Sequence, residues 1–248
     1  MEQELYEGLR KGRRWALEAV CRENLKRSWY LCCQLAGEPA GGAPLLLSAW
    51  KEALAAVKGM ETLPSQDFAA ILSEKIAALY QRGVAPKPQY EALPQPRLAA
   101  SYQALATEVE KLPSNLRPYY WLSVYGGATP QQLASAAGWE PDVLKERLAQ
   151  GEKWLAQRRA AWSKSQRAAY VRASTQLRDA AGNGFGEVQV PSALLTDLWK
   201  ECGLPVKPPK RRQKKPWTRK RLAAVGFAVG AGALLLVGGT VAAVLLLT

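Results

Sequence analysis

Residues 112–155 read LPSNLRPYYWLSVYGGATPQQLASAAGWEPDVLKERLAQGEKWL, and they describe three helices in order. Thr129-Pro130-Gln131-Gln132 is a capping box: a Thr hydroxyl for the orphan amides, Pro at the first helical position, and a Gln three residues after the cap that reaches back. A helix therefore starts at Pro130. Leu133, Ala134 and Ala137 give it a narrow apolar face, and Gly138 follows where a left-handed residue ends it. Pro141 and Asp142 mark the next start, because Pro fits a first turn and an acid favours the positive end of the helix dipole. Leu144, Leu148, Gly151 and Leu155 then share one side at helical spacing, and Lys145, Glu146, Gln150 and Lys153 take the other. A short helix, a glycine turn and a longer helix with a polar outer face is the layout of a helix-turn-helix, whose second helix lies in a DNA major groove. Any pair of packed helices shares that layout, so the spacing alone leaves both readings open.

Composition narrows the chemistry. The chain has 248 residues, 48% of them hydrophobic, yet its mean hydropathy is −0.20, so the apolar content is unevenly spread and concentrates at the C-terminus. The net charge is +13, but Lys207, Lys210, Arg211, Arg212, Lys214, Lys215, Arg219, Lys220 and Arg221 supply nine of those charges with no acid among them. The chain before Lys207 is then only at +4. Much of the basic character therefore points to a membrane-proximal role. The absence of histidine removes the usual general base and commonest metal ligand, so enzymatic chemistry is not expected. Cys21, Cys32, Cys33 and Cys202 form no CxxC pair and read as reduced, buried thiols; no metal and no cofactor is expected. Met1-Glu2-Gln3-Glu4 leads into a polar helix, so no signal peptide is expected.

In chain order, 1–83 reads as a helical domain: two helices to about Ala36, a break at Glu38-Pro39-Ala40-Gly41-Gly42-Ala43-Pro44, a helix over 45–58 and another that runs from Phe68 to Tyr80. Nothing shows sustained period-two alternation, so the fold class is all-α. Pro86, Pro88, Pro94 and Pro96 make 84–97 an extended linker. Residues 98–160 form the second domain, opened by a helix with Tyr102, Leu105 and Val109. Residues 161–206 read as a helical connector, solvated along its length, with the alternative that the stretch Leu194 to Trp199, with Leu194, Leu195, Leu198 and Trp199 as its apolar side, docks back as a built-in inhibitor. Residues 207–221 are a basic hinge. Residues 222–248 carry no charge, and at about 1.5 Å per residue they exceed the roughly 30 Å hydrocarbon thickness, so they read as a transmembrane helix. The positive-inside rule places the hinge in the cytoplasm, with Lys210, Arg211, Arg212, Lys214, Lys215, Arg219, Lys220 and Arg221 against the lipid surface. Gly226 and Gly230 form a GxxxG that could pair two such helices.

The run Leu112-Pro113, Arg117, Tyr119-Tyr120, Gly126, Thr129, Gln132-Leu133-Ala134, Gly138, Lys145, Arg147-Leu148 and Leu155 resembles region 4 of sigma-70 family RNA polymerase sigma factors, of the extracytoplasmic-function type. It departs from that pattern where Gln132 stands for the usual Glu and where Gly151-Glu152 replace a small residue and an Arg. The order and lengths of the helices in 1–83 look like region 2, although Gly41-Gly42-Ala43-Pro44 stands in place of an acidic loop, Leu47-Ser48 in place of a polar pair and Ile71 where a Trp is common. The resemblance implies a promoter-DNA surface of Thr129, Gln131, Lys145, Glu146, Arg147, Gln150 and Lys153. Within it Lys145, Glu146 and Gln150 would face base edges, and Arg147 and Lys153 would lie nearer phosphates. It implies a polymerase-core surface around Leu45, Trp50, Lys51 and Glu52. The expected protein is a regulator held in a bacterial cell membrane by a single pass with its N-terminal domains cytoplasmic, whose partners are RNA polymerase core, promoter DNA, the membrane and an anti-sigma or other membrane protein. Two rivals remain open: an anchored adaptor or anti-sigma-type protein with no DNA binding, and an unrelated helical scaffold on the same anchor.

Overall fold

The computed structural model describes residues 2–60, 67–84, 90, 93–179 and 183–203. All regular structure among them is helical: α1 (Glu2–Arg10), α2 (Arg14–Ala36), α3 (Pro39–Gly59), α4 (Phe68–Gln81), α5 (Ala100–Glu110), α6 (Arg117–Tyr120), α7 (Pro130–Ala137), α8 (Pro141–Arg159), α9 (Lys164–Arg178) and α10 (Ser192–Glu201). A π-helical turn, Trp121–Tyr125, continues α6, and a 3-10 turn, Asn183–Phe185, follows α9. The chain divides after Val206, and Met1–Val206 is one compact unit. The hinge at 207–221, the segment 222–248 and the Gly226–Gly230 pair lie outside the described residues. Among the described residues no helix is long and apolar enough to cross a membrane.

The centre of the first unit is the packing of α2 on α3. Val20, Trp29 and Cys32 on α2, and Leu46, Ala49, Trp50 and Ala53 on α3, are all fully enclosed. The sequence suggests a break at residues 38–44, but α3 begins at Pro39 and runs straight through Gly41, Gly42 and Pro44. Packing overrides local propensity there. A Cβ on Gly42 would stand 3.0 Å from the Cys33 backbone, so the glycine lets the two helices close on each other, while Pro39 fills a first-turn position whose N–H would have no partner.

The helices on either side of 84–97 share one core. α4 packs on α7 and on the π turn. Ser73 Oγ donates to the Gly126 carbonyl at 2.7 Å, Gln81 Nε2 donates to the Tyr119 hydroxyl, and the Tyr30 and Trp121 rings meet edge to face at 5.6 Å.

The segment expected as a solvated connector is instead docked. Phe185, Val188, Leu194 and Leu198 are buried. Phe185 lies 5.7 Å from the Tyr30 ring, Arg27 Nη2 donates to the Asp179 carbonyl, Lys26 Nζ donates to the Gly186 carbonyl, and α10 packs on α3 with Lys51 and Glu201 paired at 3.2 Å. The leucines of a short amphipathic helix need a tertiary partner to be worth forming, and α3 supplies it.

Candidate nucleic-acid interface

The site is assembled from α7, the turn at Gly138 and α8. Thr129 Oγ1 accepts from the Gln132 amide at 3.3 Å, and Gln132 Oε1 accepts in return from the Thr129 amide at 2.8 Å, completing the capping box that starts α7. Leu133 and Ala134 press α7 into the core. Gly138 takes φ 69° and ψ 31°, a left-handed conformation that a side chain would strain, and the Trp139 amide then closes onto the Ala134 carbonyl at 2.9 Å. That geometry redirects the chain into Pro141 and the start of α8.

α8 is held from one side. Leu144, Gly151 and Leu155 are its buried residues. Gly151 gives room to Leu116, whose Cδ2 would stand 2.8 Å from a Cβ there. The side groups that the sequence assigns to DNA all reach solvent: Thr129, Gln131, Lys145, Glu146, Arg147, Gln150 and Lys153 are each exposed. The structure brings the five on α8 onto one helix and orders three of them. The Arg147 guanidinium lies 4.7 Å from the Trp139 ring centre, which in turn lies 5.0 Å from Tyr119. Gln150 Nε2 donates to Glu146 Oε1 at 3.2 Å. Beside them a groove of about 420 Å³ is walled by Leu112, Leu116, Gly151 and Trp154, with Arg147 and Gln150 at its rim.

Charge concentrates in this part of the molecule. Residues 141–178 carry nine cations against three acids, a net of +6, whereas the remainder of Met1–Val206 sums to −2. Glu152 explains one departure from the sigma pattern. It accepts from the hydroxyl of Tyr120, a buried phenol, and pairs with Arg159 at 3.2 Å, so this position braces α8 against α6 and offers no cation to a phosphate. Burial first, then the bond to Glu152, pushes the Tyr120 hydroxyl well above the usual phenol range and keeps it a donor. Sequence spacing could not reveal that contact, because Tyr120 and Glu152 are 32 residues apart. The Trp139 stack was equally hidden, although a Trp in a turn beside an Arg-bearing helix is a signal worth testing.

The residues assigned to polymerase separate into two pairs. Leu45 and Trp50 lie inside the core; Trp50 Nε1 donates to Ser28 Oγ at 3.1 Å and its ring sits 5.4 Å from Phe68. Lys51 and Glu52 are at the surface, engaged with Glu201 and with Arg82 Nη2 at 2.9 Å. The period of α3 dictates this split, since residues 45, 46, 49, 50 and 53 face α2 and α4. A partner in this conformation therefore meets Lys51 and Glu52.

Among the described residues no group of His, Cys, Asp and Glu could hold a metal ion. Cys21, Cys32 and Cys33 are buried, and burial drives all three thiols far above their ordinary range; Cys202, less enclosed, is pushed up to about 11 by burial. The eight hinge cations assigned to the lipid surface lie outside the described residues. Comparison of the chain with protein-family models, with curated proteins and with solved structures finds no match.

Proposed function

We propose that the chain is a membrane-tethered, sigma-factor-like regulator of transcription initiation, which binds promoter DNA through α7 and α8 and RNA polymerase core through the surface of α3. The observation that carries the reading is the construction of α8. A capped helix and a left-handed glycine aim it, buried Leu144, Gly151 and Leu155 fix it, and Lys145, Glu146, Arg147, Gln150 and Lys153 stand in solvent on the rest of its circumference. Net charge of +6 over 141–178 supplies the sequence-independent attraction that DNA binding requires. The tether rests on the sequence: residues 222–248 without a charge, preceded by the cationic hinge.

The deciding experiment is capture of RNA polymerase core by the full chain in detergent, alongside binding to labelled duplex DNA with and without the polymerase. Binding in both assays is expected. A second reading, an anchored adaptor or anti-sigma-type protein without DNA binding, is favoured by one specific observation: Leu45 and Trp50 are internal, and α10 is seated on α3 beside Lys51. Capture of a protein partner with no DNA binding under any condition would establish that second reading. For the tether, reporters fused before Met1 and after Thr248 should fall on opposite sides of the membrane, and release of the chain by carbonate alone would remove the spanning helix.

A further inference from the structure

We propose that α9 is a phosphate rail, an outer helix face that follows the backbone of a DNA duplex beyond the reach of α8 and without reading bases. This rests on the DNA-binding reading above and extends it to a helix outside the segment that resembles the sigma module. α9 is locked in place from within. Ser163 and Gln166 form a capping box at its start, and its inner face, Tyr170, Ala173, Ser174 and Leu177, is buried, with Ser174 Oγ 3.3 Å from the Tyr125 hydroxyl. Tyr102 of α5 donates to Gln176 Oε1 at 2.9 Å.

The outer face has a different character. Lys164, Arg167, Val171, Thr175 and Arg178 follow one another at steps of three and four residues, which puts them on one stripe, and Arg172 stands about 100° further round the exposed side. All six are exposed, Val171 at 61%. The helix contains no Asp or Glu. Arg167 Nη1 donates to the Ala160 carbonyl at 3.0 Å, while Lys164, Arg172 and Arg178 make no ion pair or hydrogen bond among the described residues.

An ordinary solvated helix face mixes signs, because like charges three and four residues apart repel and opposite charges attract. α1 and α2 do this: Lys11 pairs with Glu7 at 3.2 Å and Arg14 with Glu18 at 2.6 Å. α9 has no acid of its own to compensate its cations, so Lys164, Arg172 and Arg178 are left to solvent and to an external anion. From Lys164 to Arg178 the helix spans about 21 Å, a length of duplex axis along which each strand carries roughly six phosphates. The stripe begins where α8 ends, since the turn at 160–163 joins the two helices and the Arg159 guanidinium sits 4.2 Å from the Tyr170 ring. A repeating polyanion fits this row; a single small anion would leave most of it unanswered.

The test uses the full chain in detergent with Lys164→Gln, Arg172→Gln and Arg178→Gln combined, and a fluorescent random-sequence duplex of about 30 base pairs as probe. Three lost phosphate contacts should flatten the slope of log affinity against log salt by about 2.7, so that the wild-type fall in affinity between roughly 50 and 200 mM salt shrinks by roughly 40-fold. The thermal midpoint should not move, because all three side chains are exposed. An unchanged slope in a variant whose parent binds the duplex overturns the rail while leaving DNA binding by α8 intact. A loss confined to vesicles of anionic lipid, with duplex binding preserved, overturns it in favour of a lipid-facing helix. Absence of duplex binding by the parent overturns the DNA reading itself, and the rail with it.

Discussion

The front of the molecule and the helices α8 and α9 differ in burial and in net charge. α2 buries 14 of its 23 residues, whereas α8 buries 3 of its 19, so the first is a core element and the second is a presented one. Net charge follows the same division: residues 141–178 sum to +6 and the remainder of Met1–Val206 to −2, and Lys145, Lys153, Lys164, Arg172 and Arg178 make no ion pair among the described residues, although Arg158 and Arg159 pair with Glu108 and Glu152. The lesson is that core burial and exposed basic charge are carried by separate helices here. Substitutions should therefore sort into those that move stability alone and those that move binding alone.

The largest separation should come from alkali. Cys21, Cys32 and Cys33 of α2 are held protonated by burial, so their folded-state pKa values lie above those of the unfolded chain. The unfolded chain loses these protons near pH 8.5 and the folded chain keeps them, so stability is fully present below that pH and falls as pH rises beyond it. With three such groups the loss approaches about 4 kcal/mol per pH unit. Urea midpoints at pH 8, 9 and 10 measure it, and a flat series would show that the α2 thiols are not sealed.

Trp50→Ala comes next. Removing a fully enclosed indole leaves a cavity and takes away the donor to Ser28 Oγ, which keeps only its own bond to the Leu25 carbonyl, at a cost of about 3–5 kcal/mol. Urea unfolding should show this, and a loss below about 1 kcal/mol would mean that Trp50 is accessible after all, as a partner-binding residue would be. Leu198→Ala in α10 should cost a little less, about 2–4 kcal/mol, because α10 covers α3 from the edge. If it costs nothing, α10 is seated only transiently and the α3 surface is open to a partner.

How much of this was readable beforehand depends on the range over which each feature is decided. The start of α7 at Pro130, its end at Gly138 and the outward side chains of α8 follow from residues within four positions of each other, and spacing shows them. Gly41, Gly42 and Pro44 are poor helix formers, so the local signal starts α3 at 45; what settles the matter is the close approach of Gly42 to Cys33, which no local signal carries. The docking of α10 was visible only as a possibility, since four apolar residues on a short helix do not say what they face. Leu45 and Trp50 were assigned by resemblance to a surface, while the period of α3 turns them inward.

The smallest effects on stability should be the most informative about recognition. Lys145 and Lys153 are both exposed on α8 and neither pairs with an acid among the described residues, so either substitution by Ala should change stability by less than about 0.5 kcal/mol. Their binding effects should differ in kind. A lysine facing base edges discriminates among sequences, and a lysine facing a phosphate adds the same attraction to all of them. Lys145→Ala should therefore alter which duplexes are selected from a random pool, shifting preference at one position by about 1–3 kcal/mol. Lys153→Ala should leave the selected sequence unchanged, weaken every duplex alike and lower the salt slope by about 0.9. If both variants weaken all sequences equally, α8 is a second phosphate-binding helix and not a reading one. α8 and α9 would then be basic surfaces of one purpose, and the sequence-reading part of the promoter-binding proposal would fall while its electrostatic part survived.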